Sequence, residues 1–133
     1  STTTKELDGI KILVAEDILI NQIVVKKLLT KMGADTQVVS NGIEVISTLK
    51  KQAVDIILMD MRMPLLDGIQ TTRIIRQEMR LKTLPIIALS GNVEQKLIKE
   101  WQQLDIDDYV LKPFEKEDIL HVILTSIERR KSK

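Results

Sequence analysis

Residues 54–64 read Val54-Asp-Ile-Ile-Leu-Met-Asp60-Met-Arg-Met-Pro64. A short, almost uninterrupted apolar run ends on a carboxylate, and a turn with a proline follows at once. An apolar run of this length is expected of a parallel strand covered on both faces, because both sides of its pleat then need apolar side chains. The reading places a strand over Val54–Met59 and leaves Asp60 just beyond its carboxyl end.

Working outward, similar runs stand at Ile10–Ala15, Leu84–Leu89 and Asp108–Leu111, with a shorter and more polar one at Thr36–Val39 that reads as an edge strand. Amphipathic stretches lie between them. Asn21, Val24, Val25, Leu28, Leu29 and Met32 form one helical face, ended by Gly33. Ile119, Leu120, Ile123, Leu124 and Ile127 repeat the pattern near the end. Five strand signals alternating with five helix signals predict an α/β fold: a parallel sheet with helices on both faces. Ligands of such sheets sit beyond the carboxyl ends of the strands.

Those ends carry chemistry. The first run delivers Glu16 and Asp17, the third Asp60, the fourth Ser90 and Gly91, and the fifth Lys112 and Pro113. Singly, each is ordinary turn or capping chemistry; together, at successive strand ends, they form a set. Clustered carboxylates raise one another's pKa unless a cation neutralises them. Mg2+, a hard ion that takes a few carboxylates plus water and a phosphate, does this. Lys112 can meet a carboxylate or a phosphoryl oxygen, and Ser90 can donate to one. A nucleophile, a metal and surrounding donors are the parts of phosphoryl transfer.

Composition narrows the field. The 133 residues fit one domain, 44% of them hydrophobic and 29% charged, with a formal net charge of +1. No global field points to nucleic acid or an anionic membrane. No apolar run reaches the roughly 20 residues of a membrane helix, and the polar start, Ser1 to Glu6, does not read as a signal peptide. Cysteine is absent and His121 is the single histidine, so thiolate and histidine metal sites fall away. His121 reads as a helix residue with partial exposure, and Trp101 as a core or partner contact. With 2% aromatic residues, a flavin or nucleobase platform has little to build from.

These motifs resemble the receiver domains of two-component signalling, from Lys11 to about Ile127. The matching stretches are Ile12-Leu-Val-Ala-Glu-Asp17, Asp55-Ile-Ile-Leu-Met-Asp60-Met-Arg-Met-Pro64, Asp67-Gly68, Pro85-Ile-Ile-Ala-Leu-Ser90 and Asp107-Asp-Tyr-Val-Leu-Lys-Pro-Phe114. The resemblance implies a flavodoxin-like (βα)5 three-layer sandwich with strand order 2-1-3-4-5. It makes residues 10–128 the receiver, 1–9 a linker and 129–133 a basic, solvated tail. It also assigns roles: Asp60 accepts the phosphoryl group; Glu16, Asp17, Asp60 and the backbone carbonyl of Arg62 hold Mg2+, with Mn2+ as a substitute. Lys112 binds the phosphoryl group, Ser90 is the switch hydroxyl, and Tyr109 follows it.

Leu7-Asp8-Gly9, Asn21-Gln22, Ser40-Asn-Gly42, Thr72-Arg73 with Ile75-Arg76, and Asp107-Asp-Tyr109 make the chain most similar to receivers of hybrid sensor histidine kinases. The alternative is a stand-alone, single-domain response regulator. The implied partner is a histidine kinase or histidine phosphotransfer protein, with a cytoplasmic monomer or weak dimer and no direct contact with nucleic acid or membrane. The domain would support its own aspartyl phosphorylation and dephosphorylation without being a conventional enzyme. Three positions depart from the family pattern: Ile18 where Asn commonly follows the acidic pair, Ser90-Gly-Asn92 for Thr-Ala-Asn, and Asp105 for Gly. Two rivals fail on named residues. A flavodoxin-like cofactor protein needs a phosphate cradle where Glu16 and Asp17 stand, and an aspartyl phosphatase needs a second Asp where Arg62 stands.

Overall fold

The computed structural model describes residues 5–92 and 94–131, so parts of the expected linker and tail lie outside the described residues. The elements run β1 (Lys11–Ala15), α1 (Leu19–Lys31), β2 (Asp35–Val39), α2 (Gly42–Lys51), β3 (Ile56–Asp60) and α3 (Gly68–Arg73), which continues into a π-helical segment, Ile74–Glu78. β4 (Ile86–Ser90), α4 (Gln95–Gln103), β5 (Asp108–Leu111) and α5 (Lys116–Lys131) complete the chain. All strands are parallel, in the order β2-β1-β3-β4-β5, which is the flavodoxin-like arrangement expected.

The pleat sorts side chains between two cores. Ile12, Val14, Ile56, Leu58, Ile87, Leu89 and Val110 pack with Val25 and Leu29 of α1, Met32 at its C-cap, and Ile119, Val122 and Ile123 of α5. The alternate residues Leu13, Ala15, Ile57, Met59, Ile86 and Ala88 pack with Val45 of α2, Ile75 of the π-helical segment and Trp101 of α4. Extending each strand by that period of two sends Glu16, Asp60 and Lys112 toward the α1/α5 layer and Ser90 toward α4. The site is therefore divided by the sheet before any loop is considered.

Strand limits differ from the expected ones in a way that matters. β3 and β4 begin two residues later, because Asp55 and Pro85 serve as the entry points of the ladder: Asp55 N–H donates to Lys11 O at 2.8 Å and Ile57 N–H to Pro85 O at 3.0 Å. Each also gains its last residue, so Asp60 and Ser90 close their strands rather than follow them. Lys112 N–H donating to Ser90 O at 2.9 Å extends the pairing there.

The two ends are more tightly held than a linker and a solvated tail. Leu7 is fully buried and its N–H donates to Met32 O at 2.8 Å. Gly33 closes α1 at φ +96°, where a Cβ would collide with the Asp8 side chain. At the other end α5 continues through Lys131, because Arg130 is drawn inward by Asp107, Nε to Oδ2 at 2.7 Å. No helix among the described residues is long and apolar enough to cross a membrane.

Candidate functional site

β1, β3 and β5 bring three of the expected groups into direct contact. Lys112 Nζ lies 2.8 Å from Asp60 Oδ2 and 2.9 Å from Glu16 Oε2. Asp60 is 5% exposed, and its other oxygen accepts the Arg62 N–H at 2.9 Å. That bond comes from the first turn after β3 and fixes the carboxylate's orientation. Asp17 is exposed on the loop after β1, and carboxylate oxygens of Glu16, Asp17 and Asp60 lie within 4.8 Å of one another.

Glu16 is fully buried. Its Oε1 accepts Asn21 Nδ2–H at 3.0 Å and Ile18 N–H at 3.3 Å, while Oε2 faces Lys112 without a well-aligned hydrogen bond. Gln22 Nε2–H donates to the Glu16 carbonyl at 2.6 Å. Sequence reading placed Asn21 on the core face of α1; the structure turns it toward Glu16, and half-exposes Val24 at 45%. The signal available was an amide one helical turn from the acidic pair, ambiguous because a polar residue at that period also reads as a face boundary.

Burial raises the Glu16 pKa above its ordinary value; its bonds to Lys112 and Asn21 oppose the rise, and the nearby Asp60 charge adds to it. For Lys112, burial works to lower the pKa, but hydrogen bonds and charges from Asp60 and Glu16 outweigh it and hold the ammonium above its usual value. Two carboxylates thus share one firmly protonated ammonium, and Asp17 adds a third beside them. The surplus negative charge and an all-oxygen donor set fit a hard divalent cation such as Mg2+.

The acidic group opens into a cleft of about 640 Å³, also lined by Arg62, Ser90, Asn92 and Trp101. Ser90 makes no bond to Asp60 there. Its hydroxyl donates to Asn92 O at 2.6 Å and accepts Asn92 N–H at 3.2 Å. Tyr109 lies outside the cleft, half-buried, beside Trp101 with ring centroids 6.0 Å apart. His121 is exposed on α5, away from this group, and Trp101 is buried at 4% exposure.

A second cluster was not foreseen. Arg76, from the π-helical segment, donates to Leu81 O at 2.6 Å and Asp105 O at 2.8 Å and approaches Asp107 at 3.4 Å. Arg130 binds the same Asp107 and Asp105. Asp105, which stands where the family pattern has Gly, takes the glycine-like conformation itself at φ 59°, which Asp tolerates better than most residues.

Comparison with known proteins agrees with this geometry. The family model described as the response regulator receiver domain matches residues 12–124. The transcription factor SKN7 of Saccharomyces cerevisiae is 35% identical over 122 residues, covering 92% of this chain and 19% of its own length. Hybrid signal transduction histidine kinase K of Dictyostelium discoideum is 35% identical over 130 residues, covering 92% of this chain and 11% of its own. The chain thus spans about a fifth or less of these curated relatives. Among solved structures, the receiver domain of the sensor histidine kinase PA1611 of Pseudomonas aeruginosa PAO1 superposes with a TM-score of 0.82 at 35% identity, covering 90% of this chain and 98% of that one. That structure holds a magnesium ion coordinated in its active site cleft.

Proposed function

The chain belongs to the family of response regulator receiver domains of two-component signalling, and on that premise we propose that it accepts a phosphoryl group from a phosphohistidine onto Asp60. The observation that carries this reading is the Lys112 ammonium 2.8 Å from Asp60 Oδ2, at the mouth of an open cleft and beside two further carboxylates.

An Asp60 oxygen attacks phosphorus, the P–N bond of the phosphohistidine breaks, and its electron pair stays on the imidazole nitrogen. The product is an acyl phosphate. Lys112, already drawn to the carboxylate, follows the charge onto the phosphoryl oxygens as the carboxylate loses its own. Arg62 N–H holds the non-attacking side of Asp60 in place. Glu16, Asp17, Asp60 and the Arg62 carbonyl would hold Mg2+, which when bound neutralises phosphoryl charge. Mn2+, with similar oxygen preference, would substitute.

Ser90 is the switch in this reading. A neutral hydrogen bond contributes about 0.5–1.5 kcal/mol and one to a charged group about 1.5–3. Exchanging Asn92 O for a phosphoryl oxygen therefore gains on the order of 1 kcal/mol. A gain of that size shifts a population between two forms rather than creating a new fold. Tyr109 turning inward behind the displaced hydroxyl would carry the change to the surface near β5.

The donor in this proposal is a histidine kinase or histidine phosphotransfer protein, and the parent chain a hybrid sensor kinase, supported by the relatives of that kind. Incubation with a radiolabelled phosphohistidine protein tests the chemistry: label should leave the donor, appear on this chain and be released by hydroxylamine, as an acyl phosphate is. Label that resists hydroxylamine would contradict the assignment.

A further inference from the structure

The single tryptophan and the single tyrosine of the chain are neighbours, with ring centroids 6.0 Å apart and planes tilted by 49°. They meet where β4 and β5 run side by side. Ala88 pairs with Tyr109, and Ser90 with Leu111, so these four side chains share the sheet face that α4 covers. Ala88 and Ser90 are small. The room they leave on that face is taken up by the Trp101 indole, which descends from α4 into the same core as Ala88.

Trp101 also belongs to two concavities at once. It lines the acidic cleft with Asp60, Ser90 and Lys112, and it lines a smaller pocket together with Tyr109. Tyr109 lines only the second, and Ser90 only the first. The indole is therefore the wall between them.

α4 itself is lightly held. Trp101 is its one buried residue, with Leu97 and Ile98 half-buried, and Glu94 at its N-cap makes no side-chain capping bond. A helix anchored through one large side chain moves when that side chain moves, since uncapped termini and scarce buried contacts mark the low-stability end of a fold.

We infer that Trp101 is a gating residue between the Asp60 cleft and Tyr109, so that the ring turns inward only when the indole, and α4 with it, gives way. This rests on the phosphoacceptor reading above and deepens it. Ser90 moving toward a phosphoryl group opens the cleft side of the wall. The indole shifts into that opening, and Tyr109 follows from behind. Without Ser90 movement the indole stays, and Tyr109 remains outside.

The test is NMR of the chain, with Mg2+ and beryllofluoride as the phosphoryl mimic. The Trp101 indole N–H resonance should shift in the wild type, and the shift should fall to less than half in Ser90→Ala. Trp101→Phe, a smaller ring, should move the Tyr109 amide of the unliganded protein along the line joining its wild-type free and beryllofluoride positions. An indole resonance that stays fixed, or shifts equally in Ser90→Ala, overturns the inference, as does a Tyr109 amide that leaves that line or does not move along it. The Asp60 amide, read in the same spectra, separates the two levels. If it fails to respond to beryllofluoride the phosphoacceptor reading fails; if it responds while the indole does not, only the gate fails.

Discussion

Lys112 Nζ and Asp60 Oδ2 are 2.8 Å apart although 52 residues separate them in the chain. The same ammonium stands 2.9 Å from the fully buried Glu16. Removing it leaves Glu16 with no cation among its observed partners. Lys112→Ala should therefore destabilise the metal-free protein by about 1–3 kcal/mol, the usual cost of an unsatisfied buried group, with the open cleft keeping it at the lower end. Urea unfolding in chelator measures this, and phosphoryl uptake on Asp60 should slow in parallel.

The two other carboxylates should behave differently toward metal. Asp17 is exposed and free to reorient, whereas Glu16 is fixed by Asn21, Ile18 and Lys112. Asp17→Ala should weaken Mg2+ binding more than Glu16→Ala, and excess chelator should abolish phosphorylation of the wild type. Titration calorimetry and phosphoryl uptake give the two readings.

Glu16 also sets a pH dependence. Its folded pKa is raised, chiefly by burial, above the ordinary carboxylate value. A carboxyl group raised on folding binds protons more tightly in the native state. Its contribution to stability is present below the unfolded pKa and is lost as pH rises through the folded one. Metal-free protein should therefore lose stability, as pH rises past the ordinary carboxylate range, by more than Glu16→Gln, in which this titration is absent. Thermal melts of both proteins across that range check the slope.

The Arg76–Asp107–Arg130 cluster is structural. The Asp107 side chain is 4% exposed and that of Arg76 8%. Arg76→Met removes one of the two guanidinium groups, strands the carbonyl of Leu81 and leaves that of Asp105 only a long bond from Arg130. A loss of about 3 kcal/mol is expected, typical of breaking a buried pair by taking one partner, and denaturant unfolding measures it.

Much of the fold was legible in the sequence because the strands are short and buried on both faces, so their apolar runs are nearly continuous. Val14, Leu58 and Leu89 leave no other reading. The division of the site was also latent there: Glu16, Asp60 and Lys112 continue one parity of their strands and Ser90 the other. Pairing limits were less visible, since hydrogen bonds and not side chains decide them, which is why Asp60 and Ser90 lie inside their strands. Asn21 escaped because its spacing matches the apolar face of α1, and Arg76 because a lone guanidinium in an amphipathic helix looks like a solvated face until its partner is located. Leu7 and Arg130 escaped for a related reason: their partners, Met32 and Asp107, are distant in sequence.

Asp60 as the phosphoacceptor is the claim on which the rest depends, and intact-mass analysis after treatment with acetyl phosphate and Mg2+ tests it most directly. Asp60→Asn preserves the shape of the side chain and the carbonyl that accepts from Arg62 N–H, but removes the attacking carboxylate. The wild type should gain the mass of one phosphoryl group and the Asp60→Asn protein should gain none. A full adduct on the variant would contradict the account.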